Sequence, residues 1–361
     1  MPDRCDILIL GGGIAGMSLA AHLPGGLDVR LWEAEDHLAT HTTGRSAAMF
    51  EPNYGNPDIR ALAEASFPVL ERLGVLSPRG VLMVANDTEV GDFEAELQKG
   101  VLDEISLDAA CGHVPILNRD AIVRAGYSAQ ARDIDVMGLF GHFRKTARDR
   151  GVIIETGCRA TRIEAGSDGW TVEAGDRVVT AGKLVNAAGA WADDVAEIAG
   201  VARKGLQPLR RSIAVLPPPG GHDVRRWPML LSASESWYGK PEGGSWLVSP
   251  AEEMPVPPHD AYVEDLDLAE GLDRYAAHVT VPVTRVNASW AGLRSFLPDR
   301  RPAVGFERGA PGFFWLAGQG GYGIMTSPAL GAFAAACLTG GSLPDTVDPA
   351  ALAPERLGWT A

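Results

Sequence analysis

The apolar residues of the chain form two kinds of pattern, short unbroken runs and stripes at helical spacing. Residues 6–10, 27–32 and 312–317 are dominated by apolar side chains over the length of a buried strand. Residues 58–73 instead place their apolar side chains on one face of a helix, and residues 324–338 form a longer apolar segment of helical length. Buried strands that alternate with helices predict an α/β fold.

A different pattern fills the middle of the chain. Residues 161–163, 170–172 and 177–179 are short segments of strand type, separated by Gly and Asp turns that are typical of an antiparallel meander. A second β-rich region runs from residue 212 to about residue 286, and its connections are rich in proline and glycine. The second region predicts a separate antiparallel sheet inserted between parts of the α/β domain, whereas the meander at residues 161–179 is assigned to the α/β domain itself.

The first strand leads into a glycine-rich turn at residues 11–16, with the spacing G-x-G-x-x-G. Gly11 permits the tight turn, Gly13 lets backbone approach a pyrophosphate, and Gly16 lets the following helix lie close to the strand. The helix N-terminus attracts phosphate, and Glu33, at the end of the second strand, can accept hydrogen bonds from ribose hydroxyls. This order predicts a Rossmann-type dinucleotide site; the alternative is a tight strand–helix turn without a ligand.

Length and composition limit the classes of protein that remain. A chain of 361 residues suggests about two domains. Its formal net charge of −14 argues against a nucleic-acid surface. Its four cysteines have no metal-ligand spacing, so we expect free thiols, no metal site and a cytoplasmic protein. Residues 328–338 are too short for a transmembrane segment, whereas attachment to a membrane surface stays open.

Four blocks together resemble the D-amino-acid oxidase/dehydrogenase family of FAD-dependent oxidoreductases. They are residues 11–16 with Glu33, residues 41–48 (HTTGRSAA), residues 185–191 (VNAAGAW), and residues 290–294 (WAGLR) with the glycine loop 318–323. Within the family, residues 206–212, 237–238 and 290–296 are most similar to the D-arginine dehydrogenase branch.

The resemblance implies an FAD site. Besides the motif glycines, its residues would be Ala15, Glu33, Ala34, Thr42, Thr43, Gly44, Arg45, Ser46, Ala160, Gly189, Gly320, Gly321, Tyr322, Gly323, Ile324 and Met325. The backbone of Ala160 would meet the adenine, and the N-terminus of the last long helix would stabilise negative charge on reduced flavin. No cysteine lies near the last glycine loop, so we expect FAD to be bound non-covalently.

The fold expected from these patterns is α/β, or α+β overall, with two discontinuous domains. A Rossmann-type FAD-binding domain would comprise residues 1–50, 140–205 and 290–361. A substrate-binding domain with an antiparallel β-sheet would comprise residues 51–139 and 206–289.

Oxidation of a carbon that bears nitrogen requires a substrate that is held in one orientation, and arginine grips a carboxylate through two hydrogen bonds. Arg294 and Arg211 are the candidates for this grip, with the Tyr238 hydroxyl as a further donor. Tyr54 and the Gly321 carbonyl would lie near the amine. The alternatives are surface ion pairs for the arginines and ordinary core positions for the tyrosines.

The chain departs from the D-arginine branch where the substrate side chain would bind. The acid expected on the strand at residues 80–84 is replaced by Val81, and the loop positions expected to hold His and Thr hold Met49 and Glu51. A buried cation without a partner costs roughly several kcal/mol, so a neutral or apolar substrate is expected. Glu51 would reverse this preference if it pointed into the pocket.

The leading hypothesis is therefore an FAD-dependent D-amino-acid dehydrogenase or oxidase. It would transfer hydride from Cα to flavin N5, giving an imine and then a 2-oxo acid and ammonia, with O₂ or a quinone as electron acceptor. The alternatives are an oxidase of secondary amines such as N-methyl or cyclic amino acids, a 2-hydroxy-acid dehydrogenase on the same fold, and a flavin- or nucleotide-binding protein without turnover.

Overall fold

The strands of the chain are divided between two large sheets and one small one. The computed structural model describes residues 3–345 and 347–357. Its strands are β1 (Asp3–Leu10), β2 (Val29–Trp32), β3 (Met49–Phe50), β4 (Leu76–Pro78), β5 (Val81–Ala85), β6 (Asp103–Ile105), β7 (Arg124–Ser128), β8 (Arg132–Ile134), β9 (Ile153–Glu155), β10 (Arg162–Gly166), β11 (Gly169–Ala174), β12 (Arg177–Asn186), β13 (Gln207–Leu216), β14 (Met229–Ser232), β15 (Tyr238–Glu242), β16 (Ser245–Ser249), β17 (Met254–Pro255), β18 (Ala288–Phe296), β19 (Ala303–Phe306) and β20 (Phe313–Ala317). Its helices are α1 (Ile14–His22), α2 (Pro57–Arg72), α3 (Val90–Gln98), α4 (Leu107–His113), α5 (Val136–Asp149), α6 (Ala192–Ile198), α7 (Asp265–Ala277), α8 (Gly323–Thr339) and α9 (Pro349–Leu352).

The first large sheet has the order β10-β11-β12-β1-β2-β9, with β20 beside β12 and β19 beside β20. Strand β12 runs parallel to β1, and its last residues also pair with the parallel strand β20. Ile7 and Ile9 of β1 belong to the core formed with α1, α5 and α8, whereas Leu8 and Leu10 belong to the core on the other face. Because both faces are buried, the strand is apolar at every position in this stretch, as the sequence predicts.

The second large sheet has the order β17-β13-β16-β15-β14-β5-β7-β6, with β18 on the free edge of β13. Its pairs are antiparallel except for β14 and β5, which run parallel. Strands β13 and β18 pair along nine positions, from Gln207 opposite Phe296 to Val215 opposite Ala288. A small sheet, β3-β8-β4, lies apart from both. The mixed α/β architecture with an antiparallel second sheet confirms the predicted fold class.

Two features cross the proposed domain division. A boundary at residue 290 falls inside β18, which pairs with β13 rather than with the first sheet. Helix α2, placed in the second domain, packs on α8, where the Ala329 N–H donates to Ser66 Oγ at 3.1 Å. The apolar face of α2 packs on α8. Because the two helices are far apart in the sequence, the hydrophobic pattern does not reveal this contact. The proposed ranges also include residues 1–2, 346 and 358–361, which lie outside the described residues.

Candidate active site

Two long helices begin at the same cavity, which has about 910 Å³ of empty space counted with its open mouth. Helix α1 follows Gly13, which has no side chain, and only its first N–H, that of Ile14, donates to a side chain, that of Thr43; helix α8 follows Tyr322, whose side chain accepts no hydrogen bond from the helix. Gly13 and Ile14 line the cavity at one end, and Gly323 and Ile324 line it at the other. Free N–H groups and the partial positive charge of both helix N-termini therefore favour a negatively charged ligand.

The glycines of the first turn differ in what surrounds them. A Cβ on Gly11 would lie 2.3 Å from the Ala187 carbonyl oxygen, and a Cβ on Gly16 would lie 2.1 Å from the Gly11 carbonyl oxygen. At Gly13 a Cβ would meet only Thr43 Oγ1, at 3.3 Å. Gly11 and Gly16 therefore hold the turn together, whereas the open side of Gly13 leaves space for a ligand.

Gly12 is also closely packed, although the motif assigns it no role. A Cβ at Gly12 would lie 2.5 Å from Leu38 Cδ2 and 2.9 Å from Glu33 Oε2. The Gly12 N–H donates to Glu33 Oε2 at 2.8 Å, and the Glu35 N–H donates to Glu33 Oε1 at 2.9 Å. Glu33 thus fastens the end of β2 to the glycine turn; its contact with a ribose stays a prediction.

The loop after β2 closes one side of the cavity. Thr43 Oγ1 accepts from the Ile14 N–H at 3.0 Å, and Thr42 Oγ1 donates to the Leu293 carbonyl oxygen at 2.7 Å. The Arg45 guanidinium donates to the carbonyl oxygens of Ala261 and Ala291 and pairs with Asp260. These contacts attach the loop to α1, to β18 and to the segment after β17.

The cavity includes most of the residues that the sequence placed in the cofactor site. Its walls contain Gly13, Ala15, Thr42, Thr43, Arg45, Ser46, Gly189, Gly320, Gly321, Gly323 and Ile324. The other proposed cofactor residues, Gly11, Gly16, Glu33, Ala34, Gly44, Ala160, Tyr322 and Met325, lie outside these walls. Packing explains the glycine at position 44, because a Cβ there would lie 2.4 Å from the Ala39 carbonyl oxygen.

Gln319 is one of the lining residues that were not predicted, although its neighbours in the glycine loop were. Gln319 lines the wall, and its buried Nε2 has no hydrogen-bond partner among the described residues. A buried amide donor without a partner is unfavourable, and a ligand with acceptor atoms would satisfy it. With two open helix N-termini and the free side of Gly13, the cavity fits a large anionic cofactor such as FAD.

The two candidate arginines come together on neighbouring strands. Leu209 of β13 lies opposite Arg294 of β18, and Arg211 lies opposite Gly292, so the two arginines are diagonal neighbours on one face of the sheet. Both side chains line the cavity, together with Tyr238. Tyr54 completes the group from another part of the chain, because Arg294 Nη1 donates to its hydroxyl at 3.3 Å. The sequence thus identified four side chains that the fold assembles.

The arginine pair has a shortage of negative partners. Burial lowers the pKa of Arg211, and the charge of Arg294 lowers it further. Arg211 Nε is buried without a hydrogen-bond partner. Burial also opposes the charge on Arg294, but Tyr54, Tyr238 and Glu253 outweigh it and raise the pKa of that guanidinium. No Asp or Glu is among the described residues that line the cavity, so the pair is suited to an anionic ligand.

The three residues at which the chain departs from the D-arginine branch, Val81, Met49 and Glu51, do not line the cavity. Val81 is buried in the second sheet opposite Ser128 and Met229, and Met49 pairs with Asp133. The Glu51 carboxylate accepts from the N–H and the side-chain amide of Asn53, and burial raises its pKa. Glu51 is therefore engaged with its own loop rather than placed among the walls of the cavity.

Within residues 3–345 and 347–357, we find no group of three or more His, Cys, Asp or Glu side chains arranged to hold a metal ion. The same residues contain no helix with the length and apolar character needed to span a membrane.

The fold and this cavity define an oxidoreductase that uses FAD. The sequence profile described as "DAO: FAD dependent oxidoreductase" matches residues 6–337, and the chain belongs to this DAO family. FAD is therefore its expected cofactor, and the two open helix N-termini and Gln319 are placed to hold it.

Known relatives act on several amino acids and amines. The chain is 27% identical over 400 residues to mitochondrial dimethylglycine dehydrogenase of Rattus norvegicus, covering 99% of this chain but only 45% of that protein. In solved structures it is similar to L-proline dehydrogenase from P. horikoshii, with TM-score 0.82, 21% identity and coverage of 99% and 98% of the two chains. Glycine oxidase from Geobacillus kaustophilus also gives TM-score 0.82 and 21% identity, with coverage of 98% and 99%.

The chain thus spans less than half the length of the dimethylglycine dehydrogenase it matches. At 21% identity, the two structural matches establish the fold alone. The family, the fold and the cofactor are confirmed. The membership of the D-arginine branch stays a prediction.

Proposed function

We propose that the protein oxidises the carbon–nitrogen bond of a small N-alkyl or cyclic amino acid, a secondary amine that carries a carboxylate. The observation that carries this proposal is the convergence of Arg211, Arg294 and Tyr238 at a cavity without lining acids, with Tyr54 hydrogen-bonded to Arg294. The two guanidinium groups would hold the substrate carboxylate, Arg294 through two parallel hydrogen bonds.

The side chains around this carboxylate position have separate tasks in the reaction. Bound FAD supplies the chemistry, as an acceptor of hydride from the carbon next to nitrogen. Arg294 and Arg211 fix the orientation of the substrate, and their positive charge lowers the pKa of a bound amine, which favours the neutral form that can be oxidised. Ile213 and Ala47 give the adjoining wall an apolar surface that excludes water. The product is an imine, which water hydrolyses after release.

A secondary amine is preferred to a primary one for two reasons. The described walls offer no carboxylate to the several N–H groups of a primary ammonium, whereas a secondary amine has fewer N–H groups and more apolar surface. Two of the similar proteins are also named for secondary or tertiary amines, dimethylglycine and proline.

A second candidate is a D-amino acid with a neutral or apolar side chain. The apolar side chain of Ile213 and the ring of Tyr238 form a wall on which such a side chain could lie. A 2-hydroxy acid is a weaker candidate because no histidine is among the described lining residues to act as a base.

Anaerobic bleaching of the flavin absorbance tests these substrates directly. We expect bleaching by N-methyl and cyclic amino acids and slower bleaching by apolar D-amino acids. Reoxidation by O₂ and by a soluble quinone then identifies the electron acceptor. Bleaching by 2-hydroxy acids alone would contradict the proposal.

Substitution of Arg294 tests whether the activity depends on the geometry of the two arginines. Arg294→Lys keeps the charge but loses the forked donor, and we expect kcat/KM to fall about 100-fold or more while FAD stays bound. Arg225→Lys is the matched control, because Arg225 is exposed and its guanidinium pairs with Asp223 of the same turn.

A further inference from the structure

An ionised carboxylate lies beside the arginine clamp without lining the cavity. Glu253 receives two hydrogen bonds from Arg300, from Nη1 at 3.0 Å and from Nη2 at 2.9 Å. The same carboxylate receives a longer hydrogen bond from Arg211 Nη2, at 3.4 Å. Glu253 is thus a fixed negative charge in contact with one of the two arginines that would hold the substrate.

The position of Glu253 is fixed through Arg300. The Arg300 guanidinium lies 3.8 Å from the centre of the Phe296 ring, an arrangement typical of a cation–π contact. Phe296 in turn packs on Gly320, where a Cβ would lie 2.1 Å from the ring. Arg300 also has a positive φ of 57°, so a defined turn presents it to Glu253. The carboxylate is therefore connected, through Arg300 and Phe296, to the glycine loop at residues 318–323, which lines the cavity.

Glu253 stays charged in this environment. Burial alone would favour its neutral form, but the hydrogen bonds from Arg300 and the charges of Arg211 and Arg294 hold the pKa of Glu253 below its usual range. Its side chain is 32% exposed, so water screens its field only in part. A ligand at the clamp consequently feels two arginines and the Glu253–Arg300 ion pair, in which the carboxylate is the member that contacts Arg211.

We infer that Glu253 contributes to specificity by weakening the binding of ligands that carry a second negative charge. The inference rests on the proposed function, because it assumes that Arg211 and Arg294 hold a carboxylate. Repulsion by Glu253 scales with the charge of the ligand, so a dianion is disfavoured about twice as strongly, in free energy, as a monoanion. Arg300, the nearest additional cation, is already paired with Glu253 and gives the second charge no partner.

Propionate and malonate are matched probes of this effect, because malonate replaces the methyl group of propionate with a second carboxylate. Their dissociation constants can be measured by titrating the flavin spectrum of the holoenzyme at neutral pH and constant ionic strength. The ratio of the two dissociation constants in the wild-type protein is the reference for the variants. In Glu253→Gln we expect propionate to bind about fivefold and malonate about 25-fold more tightly.

The controls separate charge from structure. Glu253→Asp keeps the charge and should keep the wild-type ratio of the two constants. Glu264→Gln removes a carboxylate that pairs with Arg210, the neighbour of Arg211 on β13, and should also leave the ratio unchanged. Equal changes for both ligands in Glu253→Gln, or no change, would overturn the inference and leave Glu253 a structural residue.

Two further outcomes complete the test. If Glu253→Gln does not fold, Glu253→Ala takes its place, and equal changes for both ligands in that variant would overturn the inference. Binding of propionate that is unaffected by Arg294→Lys would instead refute the carboxylate clamp itself, and with it the proposed function. Failure of the inference can thus be told apart from failure of the proposed function.

Discussion

The guanidinium of Arg294 lies directly against the α-carbon of Gly321. A Cβ at Gly321 would be 3.1 Å from Arg294 Nη1 and 3.2 Å from Arg294 Cζ. Arg294 belongs to β18 of the second sheet, whereas Gly321 belongs to the loop that precedes α8. The absence of a side chain at one residue therefore sets how close the arginine comes to the cofactor side of the cavity.

The first prediction follows from this contact. Gly321→Ala should displace the Arg294 guanidinium by a few tenths of an ångström or more and raise KM for a carboxylate substrate about tenfold, with FAD retained. Steady-state kinetics and the flavin content of the purified protein are the measurements. Gly25→Ala is the control, because a Cβ at Gly25 meets no atom within 4 Å. An unchanged KM would mean that Arg294 does not contact substrate.

The second prediction contrasts two glycines of the same turn. Gly13→Val should give a folded protein without FAD, because its side chain would extend into the open side of Gly13. Gly16→Ala should instead lower the free energy of unfolding by about 1 to 3 kcal/mol or more, because its Cβ would strike the Gly11 carbonyl. Flavin absorbance and thermal unfolding followed by circular dichroism distinguish them. A full complement of FAD in Gly13→Val would contradict the proposed cofactor position.

The third prediction concerns a buried ion pair outside the cavity. His278 Nε2 lies 3.4 Å from Glu89 Oε2. Burial opposes the charge on both groups, but the hydrogen bonds of the pair raise the pKa of His278 above 6.5 and lower the pKa of Glu89 below 4.5. The contribution of His278 to stability is therefore full below pH 6.5 and is lost as pH rises through its folded pKa.

The contribution of Glu89 has the opposite dependence, full above pH 4.5 and lost as pH falls through its folded pKa. His278→Gln should thus cost most between pH 4.5 and 6.5, by about 1 to 3 kcal/mol, and less at higher pH. Urea unfolding at pH 5.5 and pH 8.5 measures the difference, with the exposed His142→Gln as control. A cost that does not change with pH would show that the pair is uncharged.

The fourth prediction concerns the attachment of the cofactor. Cys5 and Cys158 are buried in the core behind the first sheet, and no cysteine is among the lining residues in the described part of the chain. We expect acid precipitation to release all of the flavin into the supernatant. Yellow colour that stays with the washed precipitate would establish a covalent link and overturn the expectation.

The sequence was most informative where neighbouring residues carry the signal. The turn at residues 11–16, the glycine loop at residues 318–323 and both helices that follow are local features, and each becomes part of one cavity. Arg211 and Arg294 were also predicted, because they lie in blocks that resemble the family. Short-range patterns and family blocks therefore identify residues that line one cavity, whereas the roles of these residues in binding cofactor and substrate stay predictions.

The residues that were missed depend on contacts between distant parts of the chain. Gly12 packs against the side chains of Glu33 and Leu38, and Asp260 pairs with Arg45, more than 200 positions away. Glu253 meets Arg211 only because β17 pairs beside that arginine on β13. Strand register decides these contacts, and hydrophobic patterning at each strand does not reveal which strands become neighbours.

The walls of the cavity are drawn from segments spread between Gly13 and Ile324, almost the full length of the chain. A molecule bound there is a non-covalent cross-link between the first helix, the second sheet and the last long helix. Each segment that it touches must be in place before its binding energy is complete, so assembly of the chain and uptake of the cofactor are one coupled equilibrium. The supply of flavin in the cell would then govern how much of the chain survives as folded protein, not only how much of it is active.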